Sequence, residues 1–364
     1  MRLLSPFLKH VVYPGLSRTG YLRRAAGAGP AVLTYHGVLP AGYASIDPDL
    51  DGGLVSADAF RRQLRFVKDQ YNVISPEEFL FWCEDGHELP SRSVLLTCDD
   101  GLRNSLADML PILQEFDLPC LFFVTGASLN DSSTMLWYEQ LYLMFLAAPE
   151  SFTLTLLEMG LHARAEGRRE KRLLWWDLVR KLSRYDLNRR QALLERIRMQ
   201  LGLNERWDAE YREDPVLGRR FLLVNRSELL ELAAAGACIG AHTLSHPMLS
   251  QASPDVVWKE LSECKLDLER LIGRDVWALA YPFGDSSSVA SRELQMAERA
   301  GYRCAFLNMG GGFGAQTPRF ALPRVHVTGT MTLSEFEAHV SGFHRSLQQM
   351  VRPVSINEVV GSSA

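Results

Sequence analysis

The stretch SVLLTCDDGLRNS, from Ser93 to Ser105, ends an apolar run in two adjacent carboxylates, Asp99 and Asp100, followed at once by Gly101. Two ionised acids at the mouth of a buried strand repel each other and lose hydration, so something positive must share the site, and a divalent cation answers both costs. A second stretch, CIGAHTLSHP, closes an apolar run on His242 and places His246 four residues on. That spacing lets two imidazoles reach one ion when the link is helical or tightly turned. An acid pair and a histidine pair at strand ends of one sheet make an O/N/N donor set, the kind that leaves zinc an open position for water. Further apolar runs end in His36 (TYHG), in Tyr281 and Phe283 (ALAYPFGD), and in Arg324 and His326 (LPRVHV). Each alone has a packing explanation; their coincidence at strand ends does not. A serine-hydrolase reading has no GxSxG elbow to stand on. The run MGGGFG precedes no helix, lacks GxGxxG spacing and reads as a loop.

The elements that must position these groups follow from the pattern. From residue 31 onward, runs of five or six apolar residues alternate with helix-like segments of ten or more. AVLTYHG, SVLLTC, CLFFVTG, ACIGAH, VWALAYPFG and YRCAFLN read as strands. SADAFRRQLRFVKDQY, capped by Ser56, and SPEEFLFWCEDG, with Ser75, Pro76 and Glu78 as a capping box, read as helices. A long helix starts at Ser253-Pro254 and stops at Gly273, and a closing one opens on Thr332 and Glu335. Such alternation demands parallel pairing with helical crossovers, and about seven strands suit a distorted (β/α) barrel, although an open doubly wound sheet has the same periodicity. Residues 1–30 read as an N-terminal extension, 31–345 as the barrel, and 346–364 as a tail. An insertion at about 130–221 breaks the rhythm and has helical spacing.

Composition bounds the partners. The chain has 364 residues, 47% hydrophobic content and a formal net charge of -4, which gives no electrostatic case for nucleic acid. No run approaches the roughly 18 apolar residues of a membrane span. Six scattered cysteines without a CxxC pair read as reduced, buried thiols. The N-terminus lacks an uninterrupted apolar core with a small-residue cleavage site, so a cytoplasmic location is expected. Within the insertion, residues 163–190 carry ten Lys or Arg against four Asp or Glu. With Trp137, Tyr138, Trp175, Trp176 and Tyr185 nearby, that composition suits peripheral contact with a membrane-held glycan lipid; the alternative is a small core of the insertion's own.

Taken in order, LLTCDDG, AHTLSHP, AYPFG and LPRVHV resemble the motifs of the polysaccharide deacetylases of carbohydrate esterase family 4, and VLTYHGV and LPILQEFDLPCLFFVTG resemble their surroundings. The resemblance runs from residue 31 to about 343, the insertion excepted. It implies a distorted (β/α) barrel and metal-assisted removal of N- or O-acyl groups from sugars. It makes Asp99 the general base. Asp100, His242 and His246 become ligands of a divalent metal, zinc first, with cobalt, nickel or manganese as alternatives. The Phe283 amide would help hold the oxyanion, and His326 would protonate the leaving group; Tyr281, His36, Arg324 and Arg103 are expected to line the site. Cys98 stands where phenylalanine is usual, and Ala280 where many members carry an arginine that orients the base. Arg103 or Arg324 must then supply that contact. The expected substrate is an acetylated sugar of a glycan or its precursor. A second reading is hydrolysis of another amide or ester bond on a lipid-linked sugar or small molecule. A third, a non-catalytic glycan-binding barrel, has no use for a complete base-and-ligand set.

Overall fold

The central strands are too apolar to have a wet face. In the computed structural model, which describes residues 5–24, 29–129, 133–310, 313 and 317–351, the strands are β1 (Ala31–Tyr35), β2 (Asn72–Val73), β3 (Ser93–Cys98), β4 (Leu121–Val124), β5 (Ser151–Leu156), β6 (Leu161–Glu166), β7 (Cys238–Ala241), β8 (Ala278–Ala280), β9 (Cys304–Phe306) and β10 (Val325–His326). β3 and β4 are buried along their whole length. A strand buried on both faces needs helices on one side and a filled lumen on the other. Seven strands accordingly run in the order β10-β1-β3-β4-β7-β8-β9, every pair parallel, with β2 added beside β3. Alternate residues separate the two faces. Val32, Leu95, Phe123, Ala280 and Phe306 fill the lumen, whereas Leu33, Leu96, Phe122, Leu279 and Ala305 pack under the helices.

This is the expected distorted barrel of about seven parallel strands. It is distorted at one seam. Next to β9 runs an irregular segment rather than a strand: Leu307 N–H donates to Leu322 O at 2.8 Å, and Arg324 N–H to Met309 O at 3.0 Å. Helix signals in the sequence act as expected. Ser56 and Ser75 cap their helices, Glu78 completes its box, and Gly273 ends the helix Pro254–Ile272 in a left-handed residue. The closing helix is broken in two, Leu333–Val340 and Phe343–Val351, at Gly342, whose φ is +77°. In the N-terminal extension, Tyr13 and Leu22 pack against Ala338 and Lys9 Nζ lies 3.1 Å from Glu335 Oε2, so the described part is docked on the barrel. The last part of the tail, 352–364, lies outside the described residues. No described helix is long and apolar enough to cross a membrane.

The insertion corrects the expectation of an all-helical segment. β5 and β6 form an antiparallel hairpin, paired from Ser151 with Glu166 to Leu156 with Leu161. Its signal was the period-two run SFTLTL, whose Phe152, Leu154 and Leu156 point inward while Ser151 and Thr153 face water. These residues join Leu178, Leu193 and Ile197 in a core separate from the barrel's. The aromatic residues are mostly internal. Trp137 is buried, and Trp175 donates from Nε1 to Tyr138 O at 2.7 Å. Leu173 and Trp176 remain exposed on the helix Gly167–Leu182, Trp176 to 37%. Part of the basic excess is paired: Arg168 with Asp47 at 2.8 Å and Arg172 with Asp49 at 3.0 Å.

Arg220, fully buried, ties the insertion to the barrel. Its guanidinium donates to Asp51 Oδ1 at 2.7 Å, to both Glu139 oxygens at 3.0 and 3.2 Å, and to Leu50 O at 2.8 Å. Removing one partner of such a network strands buried charge, at a cost of about 3–5 kcal/mol. Arg220→Met should therefore lower the urea midpoint by a destabilisation of that order, and adding Asp51→Asn and Glu139→Gln should restore part of it. Unchanged unfolding of the single variant would show that the network carries little.

Candidate active site

The turn after β3 aims two neighbouring acids in different directions. Asp99 N–H donates to Tyr35 O at 2.9 Å, which continues the ladder one residue past β3. Asp100 and Gly101 then both take left-handed backbone, with φ of +74° and +75°. Glycine is needed at the second position, where a Cβ would lie 3.0 Å from Val124 Cγ1. This kink sends Asp99 into the lumen and Asp100 toward the end of β7.

There Asp100 meets the histidines. His242 Nε2 lies 3.4 Å and His246 Nε2 3.3 Å from Asp100 Oδ1, and the three are buried donors clustered within 4.8 Å of one another. His242 Nδ1–H donates to Ala280 O at 2.8 Å, which leaves Nε2 as the ring nitrogen facing Asp100. Burial would raise Asp100, but its contacts with both imidazoles outweigh that and hold it well below the usual carboxylate range. Burial pulls His246 down; it does the same to His242, where the neighbouring carboxylates win and raise it. An ionised carboxylate beside imidazole lone pairs, shielded from water, fits a divalent ion of the zinc type. Thr243, His246 and Phe283 join Asp100 in left-handed backbone. Each such residue stores on the order of 1–3 kcal/mol of strain.

Arg324 supplies the missing orienting cation. It stands beside the seam, fully buried, and its Nη1 and Nη2 donate to the two Asp99 oxygens at 2.7 and 2.6 Å. Nη1 also donates to Thr97 Oγ1 at 3.2 Å, and the guanidinium lies 5.4 Å from the Phe123 ring and 5.8 Å from Phe306. Burial would raise Asp99; the Arg324 charge overcomes it and holds the acid below its ordinary value. Arg103 is turned to another acid: its Nε donates to Glu228 Oε2 at 3.0 Å, so the expectation that it could orient Asp99 is corrected. Tyr281 is corrected likewise: its ring belongs to the main core and its hydroxyl donates to Phe320 O at 3.1 Å.

The remaining expected residues gather around the donors. The His36 and His326 rings are 4.8 Å apart, and the buried His36 Nδ1 and His326 Nε2 meet no hydrogen-bond partner among the described residues. Phe283 packs edge-on to His246 at 5.0 Å. Tyr138, which sequence reasoning placed only in the insertion, covers the same histidine at 5.0 Å and touches Phe283 at 5.5 Å. Burial, then the Asp100 charge, pushes its phenol well above the ordinary value. No local pattern around Tyr138 announces this role, because the contact is made between distant segments.

A sequence profile described as polysaccharide deacetylase matches residues 86–184 and 203–305. The Bacillus subtilis (strain 168) protein YxkH, named for that family, is 25% identical over 117 residues, 32% of this chain; the match spans 41% of that relative's length. Among solved structures, the Streptococcus pyogenes deacetylase PplD, in complex with acetate, superposes with a TM-score of 0.54 at 19% identity, covering 85% of this chain and 97% of its own. The de-N-acetylase of Aggregatibacter actinomycetemcomitans gives 0.54 at 14% identity, covering 85% and 99%. IcaB of Ammonifex degensii gives 0.53 at 17%, covering 87% and 98%. At these identities the structural likenesses speak for the fold.

His326 generates a pH prediction. Burial, then the adjacent His36, pushes its imidazole down to about 3. The unfolded chain, with an ordinary histidine near 6.5, binds a proton that the folded site refuses. Stability from this group is therefore complete above about 6.5 and lost as pH falls toward about 3. Urea unfolding at pH 7 and pH 5 should show the lower stability at pH 5, and His326→Gln should reduce the difference to what His339, likewise pushed down to about 3 by burial, contributes. An equal slope in both proteins would contradict the burial of a neutral ring.

Proposed function

The chain belongs to the polysaccharide deacetylase family, hydrolases of carbon–nitrogen bonds, and from that membership we propose that it removes an N-acetyl or other acyl group from a sugar of a glycan or glycan precursor. The observation that carries this reading is the buried Asp100, His242 and His246 donor set beside a separately buried Asp99–Arg324 pair. Ligand set and base are present together, and each is held by its own contacts.

Asp100, His242 and His246 would hold a divalent ion, zinc first. When bound, such an ion polarises the acyl oxygen and lowers the pKa of water toward about 7. Asp99 takes the proton of the attacking water, and Arg324 keeps that carboxylate ionised and aimed. The Phe283 amide donates to the acyl oxygen as negative charge gathers there. An amide nitrogen leaves poorly without a proton, and His326 provides it. His326 is neutral in the free protein, so it would act as a relay, gaining the proton that Asp99 took from the water as it gives one to the departing nitrogen. Tyr138 and Phe283 flank His246 and would exclude water from its outer side.

Three variants separate the roles, with acetate release from a panel of acetylated sugars and elemental metal content as the readouts. His242→Ala should lose metal and activity together. Asp99→Asn should keep the metal and lose at least about a hundredfold in turnover, the usual weight of a positioned base. Arg324→Leu should keep the metal and move the acidic limb of the pH–rate profile to higher pH, since burial would then act on Asp99 without the charge that opposes it most. A fully active Asp99→Asn enzyme would end this mechanism.

A further inference from the structure

The two histidine donors are fastened differently. His242 is locked through its own ring, by the Nδ1–H donated to Ala280 O. The buried His246 Nδ1 meets no hydrogen-bond partner among the described residues. A metal-binding imidazole ordinarily gets its orientation from a partner on the second nitrogen, so His246 must be oriented another way. Its backbone makes this harder, because Thr243 and His246 both sit in left-handed conformations, φ +62° and +55°, within one four-residue loop. Such a loop persists only where its surroundings over-determine it.

Much of what surrounds it comes from the insertion. Arg190, 1% exposed on the helix Leu187–Gln200, donates from Nη1 to Ser245 O at 3.0 Å and to Ser245 Oγ at 2.8 Å. Its Nε and Nη2 are anchored on Leu182 O and Tyr185 O, at 3.3 and 2.7 Å, so the guanidinium is fixed before it meets the loop. Trp137 donates from Nε1 to His246 O at 2.9 Å, and its ring lies 4.9 Å from the Arg190 guanidinium. Ser183 Oγ accepts from Met248 N–H at 3.0 Å. From the barrel side, the buried Glu260 accepts from Ser245 N–H at 2.7 Å and from the Ser245 hydroxyl.

We propose that Arg190 and Trp137 are positioning residues for the metal centre: the insertion holds His246 by its main chain, in place of the missing side-chain partner, and so sets the affinity of the site for its ion. This rests on the reading of Asp100, His242 and His246 as ligands, and the test separates the two. Zinc is titrated into metal-free protein by calorimetry for the wild type, Arg190→Met, Trp137→Phe and Arg198→Met, each checked as folded by its unfolding midpoint. Arg198 lies on the same helix and lines the same cavity, but its three guanidinium nitrogens donate to Glu195 and Leu203 rather than to the loop, so its replacement reports on loosening of the insertion in general.

Arg190→Met should weaken zinc binding about 10- to 100-fold, the usual weight of an outer partner of a metal ligand. Trp137→Phe keeps the ring and removes only the donor, and should weaken binding severalfold; it decides the matter if Arg190→Met does not fold. Arg198→Met should lower the midpoint and leave the affinity unchanged. Affinities of the first two variants within twofold of wild type, or an equal loss in Arg198→Met, would overturn the proposal. A wild-type protein that binds neither zinc nor cobalt, nickel or manganese would instead overturn the ligand reading on which it rests.

Discussion

An ion pair placed inside a barrel lumen is the constraint that the rest of the structure accommodates. Two charges taken out of water are stable there only when their geometry is good and their spare hydrogen bonds are met. The bidentate Arg324–Asp99 contact meets the first condition, and Thr97 Oγ1 and Leu307 O, accepting at 3.2 and 2.9 Å, help meet the second. The aromatic faces of Phe123 and Phe306 take the rest of the guanidinium surface. Room for that arrangement is made on β7: a Cβ at Gly240 would lie 2.5 Å from Phe123 Cδ1. With Asp99 committed to the lumen, Asp100 is the acid left to face the histidines, and the left-handed turn through Gly101 divides the two.

Around this fixed point the chain adds a second body. The insertion has its own core, yet it is joined to the barrel through Arg220 and Arg190, both buried and both satisfied on two sides. Buried arginines of this kind bind directionally where apolar packing would tolerate sliding. The insertion is thereby held in register with the loops at the strand ends, and Tyr138 sits against His246 with a defined tilt rather than as part of a loose cover.

How much of this could be read from sequence depended on how local each signal was. The strands, their helical crossovers and the caps at Ser56, Ser75 and Thr332 are written in patterns of a few residues. Asp99, Asp100 and His242 were legible for the same reason, as they follow apolar runs directly, and His246 by its four-residue spacing from His242. The hairpin β5–β6 was equally local but its period-two signal, in SFTLTL, was hidden among longer helical runs. Arg103 and Arg324 had equal claims as the orienting cation, because the choice turns on which side chain enters the lumen, and that is settled by contacts 225 residues apart in the chain. Tyr138, Ser245 and Glu260 were beyond reach for a related reason: their roles are made wholly by long-range packing.

The irregular seam beside β9 has a further consequence. A regular strand there would alternate its side chains in and out and tie each one to a ladder position. The segment keeps that alternation without the full ladder: Leu322 joins the lumen cluster, Ala321, Val325 and Val327 pack on the outer one, and Arg324 is delivered inward to Asp99. The partner of Asp99 is therefore found by a census of charges in the lumen, since it stands 225 residues away in the chain and outside the regular strands.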